Sequence, residues 1–198
     1  MNHDLYAEAL ICFRELLDEA RATGDPEPTA MTLASLGDDG RVAARTVLLK
    51  SHDERGFVFY TNCHSRKGRE LGGHPQAALL FHWKTLRNQV QVRIEGAVQP
   101  VEVQEADAYF ASRPRNSQIG AWASLQSEPL PSREEFERRL AAYERQYEGV
   151  AVPRPPHWSG FRLVPKRIEF WISQPSRLHI RHLYSRDDAR WRIETLYP

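Results

Sequence analysis

Four clusters in this chain set cations beside hydroxyls, and each has the makings of an anion site. Arg177-Leu178-His179-Ile180-Arg181 alternates, so a strand there would put Arg177, His179 and Arg181 on one face. Two guanidiniums flanking an imidazole repel one another unless an anion sits between them; the alternative is a solvated strand face. Arg45-Thr46-Val47-Leu48-Leu49-Lys50 brackets an apolar run with two cations. Strict alternation separates Arg45 from Lys50, so a shared site requires a bulge or Lys50 at a turning end. Otherwise the two are the snorkelling ends of a core strand. Ser65-Arg66-Lys67 follows Tyr60-Thr61-Asn62, and a helix starting there offers a capping hydroxyl and two cations to an anion. The plainer reading is a capped surface helix. Within Tyr109–Trp122, Pro114 stops one helix and a second begins near Asn116 or Ser117. Tyr109 and Arg113 share a face at i,i+4, and Arg113 and Ser117 converge from two helix ends.

The chain as a whole is nearly neutral: 27 Lys+Arg oppose 26 Asp+Glu. A diffuse polyanion surface needs a one-sided field, so local cation clusters fit two phosphates held in one site better. None of GxGxxG, GxxxxGK[ST], GxSxG or HExxH occurs, and the eight histidines lack metal-ligand spacing. These patterns argue against a zinc enzyme or a serine hydrolase. Cys12 and Cys63 make no disulfide framework, which points to a reducing, cytoplasmic setting. The longest strictly apolar run, Ala77 to Phe81, is far short of the ~20 residues a membrane helix needs. The N-terminus has neither the basic nor the apolar region of a signal peptide.

At 198 residues the chain is expected to be one domain spanning 1–198. Residues 4–21 carry an apolar stripe (Leu5, Ala9, Leu10, Phe13, Leu16, Leu17, Ala20) and predict a helix within an N-terminal segment 1–24. The period then changes to two. Strands are expected over 30–36, 41–50, 56–62, 77–83 and 88–98, with a hairpin turn at Gly37–Gly40. Helical patterns return at 65–71 and across a 104–148 insertion (104–112, 115–123, 132–148). After a proline-rich connection, strands are expected at 160–164, 167–173, 179–185 and 190–196. Short strands without βαβ alternation predict a mainly β, α+β fold: an antiparallel sheet or barrel with peripheral helices.

The chain resembles the pyridoxamine 5′-phosphate oxidase family in order from about residue 25 to its end. The matching segments are Glu27–Met31, Arg45–Lys50, Phe59–Asn62 with Ser65–Lys67, Gln89, Tyr109–Trp122 and Gln126-Ser127. Phe161-Arg162, Glu169–Trp171, Arg177–Arg181 and Leu196–Pro198 continue the match. The resemblance implies an FMN-binding split β-barrel and a homodimer with FMN at the subunit interface, the strands of 160–198 completing the site. Cofactor contacts implied are Arg45, Thr46, Val47, Leu48, Leu49, Lys50, Tyr60, Thr61, Arg66, Lys67, Gln89, Gln126, Ser127, Trp171 and Arg181, with Arg66 and Lys67 on the flavin phosphate. Lys50, Tyr109, Arg113 and Ser117 would take the substrate phosphate. Arg177, Leu178 and His179 would lie over the pyridine ring, Arg177 and His179 as the catalytic pair.

The implied reaction is hydride transfer from substrate C4′ to flavin N5, with O₂ as acceptor giving H₂O₂. The amine passes through an imine whose hydrolysis releases ammonia. No nucleic acid, membrane or metal is implied. Three departures stand out. A basic-Tyr segment that many members carry ahead of the matched region is not seen here. Ile180 stands where the family commonly has an acid, and Glu27 where some have Asp. The alternatives are a phenazine-type flavin oxidase, a non-catalytic flavin- or pyridoxal-phosphate-binding protein, and, weakest, a binder of phosphate-rich polymers.

Overall fold

A computed structural model describes residues 4–187 and 190–198; residues 1–3 of the expected N-terminal segment and 188–189 of the C-terminal one lie outside the described residues. Helix α1 (Leu5–Ala22) is capped by Asp4, whose side chain accepts from the Tyr6 and Ala7 amides. Its apolar stripe buries Ala9, Phe13, Leu16, Leu17 and Ala20. The Phe13 ring meets Phe57 and Phe81 edge-on at 4.9 and 5.0 Å, locking the helix onto the sheet.

The strands are β1 (Ala30–Leu36), β2 (Val42–Leu48), β3 (Ser51–Asp53), β4 (Gly56–Asn62), β5 (Gln76–Trp83), β6 (Val90–Pro100), β7 (Trp158–Ile172), β8 (Ile180–Asp187) and β9 (Arg190–Thr195). They form one antiparallel sheet in the order β2-β1-β5-β6-β7-β4-β3, with β8 on β7 and β9 on β8. Helices α2 (Arg66–Gly73), α3 (Val103–Ser112), α4 (Arg115–Ala123) and α5 (Arg133–Gln146) lie around it. The sheet curls into a split half-barrel. Its core holds Phe57, Phe59, Phe81, Val90, Val92, Ile94, Leu163 and Ile168.

Strand β7 organises everything else. One of its edges pairs with β6 along its length. The other edge is divided: Trp158–Leu163 pairs with β4 and Arg167–Ile172 pairs with β8. The sequence reading divides this stretch into two strands at Pro165, and the structure corrects it to one strand of 15 residues. The register shifts at Glu95/Gly96, opposite Pro165, where a missing amide is tolerated. Gly96 is required there, because a Cβ would lie 2.0 Å from the Val164 carbonyl oxygen.

Two further expectations change. The alternating run 177–181 is not a strand face: β8 begins at Ile180, and Pro175–Arg177 is a 3₁₀ turn with Ser176 (φ 57°) and Arg177 (φ 63°) left-handed. Arg177, His179 and Arg181 therefore do not share one face, because a left-handed pair breaks the alternation. Gln89 precedes β6 rather than lying in it, and Arg87, Asn88 and Gln89 all have positive φ. Between β2 and β3, Leu49 turns into the core and Lys50 lies at the turning end.

Candidate active site

A cavity of about 730 Å³ opens between β2, β4, α2, α3 and α4. Its size suits a small-molecule site. It gathers Thr46, Val47, Leu48, Lys50, Tyr60, Thr61, Lys67, Tyr109, Arg113, Ser117 and Gln126 from the expected set. It also takes in Asn62, Ser112, Ser124 and Trp158, which the sequence reading did not assign to the site. Asn62 had a signal, since it ends the matched Phe59–Asn62 segment. Trp158 had none, because it closes a proline-rich connection.

Each wall has a local cause. Ser65 caps α2, accepting from the Gly68 amide at 3.3 Å, which aims Lys67 inward. The Lys67 ammonium donates to Thr61 Oγ1 (3.3 Å) and Ser65 Oγ (3.4 Å), both neutral. Thr61 in turn donates to Gln126 Oε1 at 3.2 Å. Helix α4 is held on α3 by Gln118, whose amide donates to the Phe110 carbonyl at 3.0 Å. That joint sets Arg113 and Ser117 on one side of the cavity. Tyr60, Tyr109 and Trp158 stack nearly parallel, at 4.0 Å between the tyrosines and 5.4 Å from Tyr60 to Trp158. Gly160 leaves room for this, since a Cβ there would lie 2.7 Å from the Tyr60 ring.

The electrostatics are lopsided. Among the described residues, no ion pair involves Lys50, Lys67 or Arg113. The Arg113 guanidinium lies 4.7 Å from the Trp158 ring centre, and its Nη1 is buried without a hydrogen-bond partner. Arg162, more deeply buried nearby on β7, is by contrast neutralised by Asp53 (3.0 Å) and Glu105 (2.9 Å). Burial pushes the pKa of Arg113 down. Burial, then the charge of Arg45, does the same to Lys67. Burial pushes the Tyr60 phenol up to about 12, so it stays a neutral donor. A buried cation without a counter-ion is costly, so this cavity is made for anions.

The other expected residues lie elsewhere. Leu49 is in the core, and Arg45 and Arg66 are ion-paired with Glu70 at 2.8 Å each, outside the cavity lining. Ser127, exposed and left-handed (φ 75°), follows Gln126. Gln89, Trp171, Arg177, Leu178, His179 and Arg181 form a second group at the far end of β7. There the Trp171 and His179 rings are 4.4 Å apart, and Arg181 donates to Glu169 and to the Tyr197 carbonyl. Thirteen strand steps separate Trp158 from Trp171, about 43 Å along the strand at ~3.3 Å per residue.

Residues 16–172 match the pyridoxamine 5′-phosphate oxidase family, and residues 158–198 match the C-terminal dimerisation region of pyridoxine 5′-phosphate oxidases. The chain belongs to the pyridoxamine 5′-phosphate oxidase family. It is an oxidoreductase by that membership. A pyridoxine/pyridoxamine 5′-phosphate oxidase of Myxococcus xanthus is 60% identical over 186 residues, covering 94% of this chain and 89% of the relative. One from Xanthomonas euvesicatoria is 58% identical over 197 residues, covering 98% and 99%. The crystal structure of PhzG from Burkholderia lata, in complex with tetrahydrophenazine-1-carboxylic acid, superposes with a TM-score of 0.89 at 35% identity, covering 96% of this chain and 92% of that one. An FMN-binding protein of Nostoc punctiforme related to these oxidases (TM-score 0.74, 17% identity, covering 94% and 96%) shares the fold.

Proposed function

We propose that this chain oxidises pyridoxamine 5′-phosphate and pyridoxine 5′-phosphate to pyridoxal 5′-phosphate. Per amine turned over, one water and one O₂ are consumed, and one NH₃ and one H₂O₂ are released. The cofactor is FMN, which when bound supplies the two-electron acceptor that O₂ reoxidises.

One observation carries the reading: among the described residues, three cations, Lys50, Lys67 and Arg113, line a single cavity without ion pairs, and a buried Arg113 nitrogen has no partner. That donor set fits two phosphate monoesters on flat aromatic molecules. Lys67 and Thr61 would hold the flavin side, with Gln126 beside them. Lys50, Tyr109, Arg113 and Ser117 would hold the substrate phosphate, Arg113 by its planar fork. Fixing both molecules removes the orientational cost of bringing C4′ to its acceptor.

Arg177 and His179 lie at the other end of β7, so no single protomer brings them to this cavity. A homodimer solves this if each site joins one protomer's cavity to the partner's 171–181 segment. The match to a dimerisation region over 158–198 supports that arrangement. Exposed Leu178, Ile180 and Tyr197 fit it as an apolar contact surface. Arg177 of the partner subunit would orient C4′ and stabilise charge there, with His179 beside it. The left-handed backbone at Ser176 and Arg177 is the kind of strain kept where a side chain must be aimed. The two free cysteines fit a reducing, cytoplasmic setting.

The ligand bound in PhzG is a carboxylic acid, whereas Lys50, Tyr109, Arg113 and Ser117 together favour a phosphate ester. The purified protein should show flavin absorption bands. It should form pyridoxal 5′-phosphate from either ester, with O₂ uptake. Yellow protein that turns over neither ester contradicts the proposal.

A further inference from the structure

Glu70 lies on α2, four residues after Arg66 and outside every set assigned above. It is 6% exposed, yet it is fully engaged. Arg66 Nε donates to Oε1 at 2.8 Å. Arg45 Nη2, reaching from β2, and Ser35 Oγ, from β1, donate to Oε2 at 2.8 and 2.5 Å. Arg45 also donates to Ser35. One carboxylate thus ties a helix to two strands through the two guanidiniums that flank Lys67.

The charges do not cancel. Arg45, Arg66 and Lys67 are three cations around one carboxylate, which leaves two positive charges. A phosphate monoester carries close to two negative charges at neutral pH. The geometry points to Glu70 as the positioning residue of the flavin phosphate site: it holds Arg45 and Arg66 as a paired cradle beside Lys67 and trims the cluster to the charge of one phosphate. This rests on the FMN reading above. Without Glu70, the two arginines repel each other and Lys67, and their long side chains regain rotamer freedom that phosphate must then remove. Had Glu70 served only as a competitor for the cations, removing it would tighten phosphate binding instead.

The test uses apoprotein and two ligands, FMN and riboflavin, which differ only in the phosphate. Binding is read by quenching of flavin fluorescence, so turnover is not needed. Glu70→Ala should weaken FMN about tenfold while riboflavin affinity stays within about twofold, because only the phosphate contacts lose their alignment. Glu70→Gln, which keeps the volume, should shift FMN in the same direction by less. It carries the comparison if the alanine variant does not fold. Glu70→Asp should restore part of the FMN preference. Unchanged or tighter FMN binding in folded variants overturns the inference, as does equal weakening of both ligands, which would mark Glu70 as scaffold only. A wild-type protein that does not prefer FMN to riboflavin overturns the FMN reading itself, and this inference with it.

Discussion

Arg113 lies over Trp158, its guanidinium carbon 4.7 Å from the ring centre and its Nη1 buried without a partner among the described residues. The indole face offsets part of the cost of burial, but a cation–π contact accepts no hydrogen bond. The unpaired nitrogen therefore awaits an acceptor. A hydrogen bond to a charged group is worth about 1.5–3 kcal/mol, so Arg113→Ala should raise KM for the phosphate esters roughly ten- to hundredfold. Arg113→Lys should recover only part, since it loses the fork. Steady-state kinetics with a parallel flavin assay checks this: flavin content should not change, and an unchanged KM would contradict the role.

Trp158 supports both sides of the cavity, stacking with Tyr60 and Tyr109 and carrying Arg113. Trp158→Ala should cost about 3–5 kcal/mol of stability in urea unfolding, as for other large aromatic truncations. Trp158→Phe keeps a ring and should cost less, while still raising KM. If Trp158→Phe leaves KM at the wild-type value, the indole does not position Arg113.

The Glu70 carboxyl sits below its ordinary range: burial alone would raise it, but hydrogen bonds from Ser35, Arg45 and Arg66 outweigh burial. A lowered folded pKa gives stability that is present above the unfolded value, ~4.3, and lost as pH falls through the folded value. The apoprotein should therefore exceed Glu70→Gln in urea midpoint near neutral pH, and the gap should close on acidification below about pH 4. A gap that stays constant with pH would show that ionisation of Glu70 contributes nothing.

Lys67 and Arg177 should separate cleanly. Lys67→Ala should lower FMN affinity about tenfold or more, with turnover largely recovered when FMN is in excess. Arg177→Ala should lower kcat while FMN affinity holds. Flavin titration beside kinetics decides, and loss of flavin alone in both variants would remove the division of roles.

Much of this was legible in the residues. Ser65 capping α2, the Pro114 break between α3 and α4, and the approach of Tyr109, Arg113 and Ser117 follow from local patterns, and the structure repeats them. What was hidden depends on partners distant in sequence. Pro165 reads as a strand break because the bulge that accommodates it, an extra β7 residue at Lys166 opposite Glu95/Gly96, shows only once β7 is paired with β6. Arg177–Arg181 reads as a strand because its alternation is correct, while the left-handed Ser176 and Arg177 leave no mark in the pattern. The two errors are connected: once β7 is one strand, Arg177 must lie far from Arg113. Glu70 had a signal, the i,i+4 spacing from Arg66, but its bonds to Ser35 and Arg45 need the folded sheet.

The division of the site between protomers can be measured by complementation. Arg113→Ala and Arg177→Ala homodimers, each nearly inactive when assayed at substrate well below the wild-type KM, are mixed, dissociated and reassociated, and the heterodimer is isolated by differential tags and assayed at the same substrate concentration. If Arg113 of one protomer serves the same site as Arg177 of the partner subunit, the heterodimer holds one site with both changes and one with neither. Its activity should then return to about half that of the wild type, because one site of two is intact. A heterodimer no more active than its parents would show that both residues of a site come from one protomer, and would contradict the account.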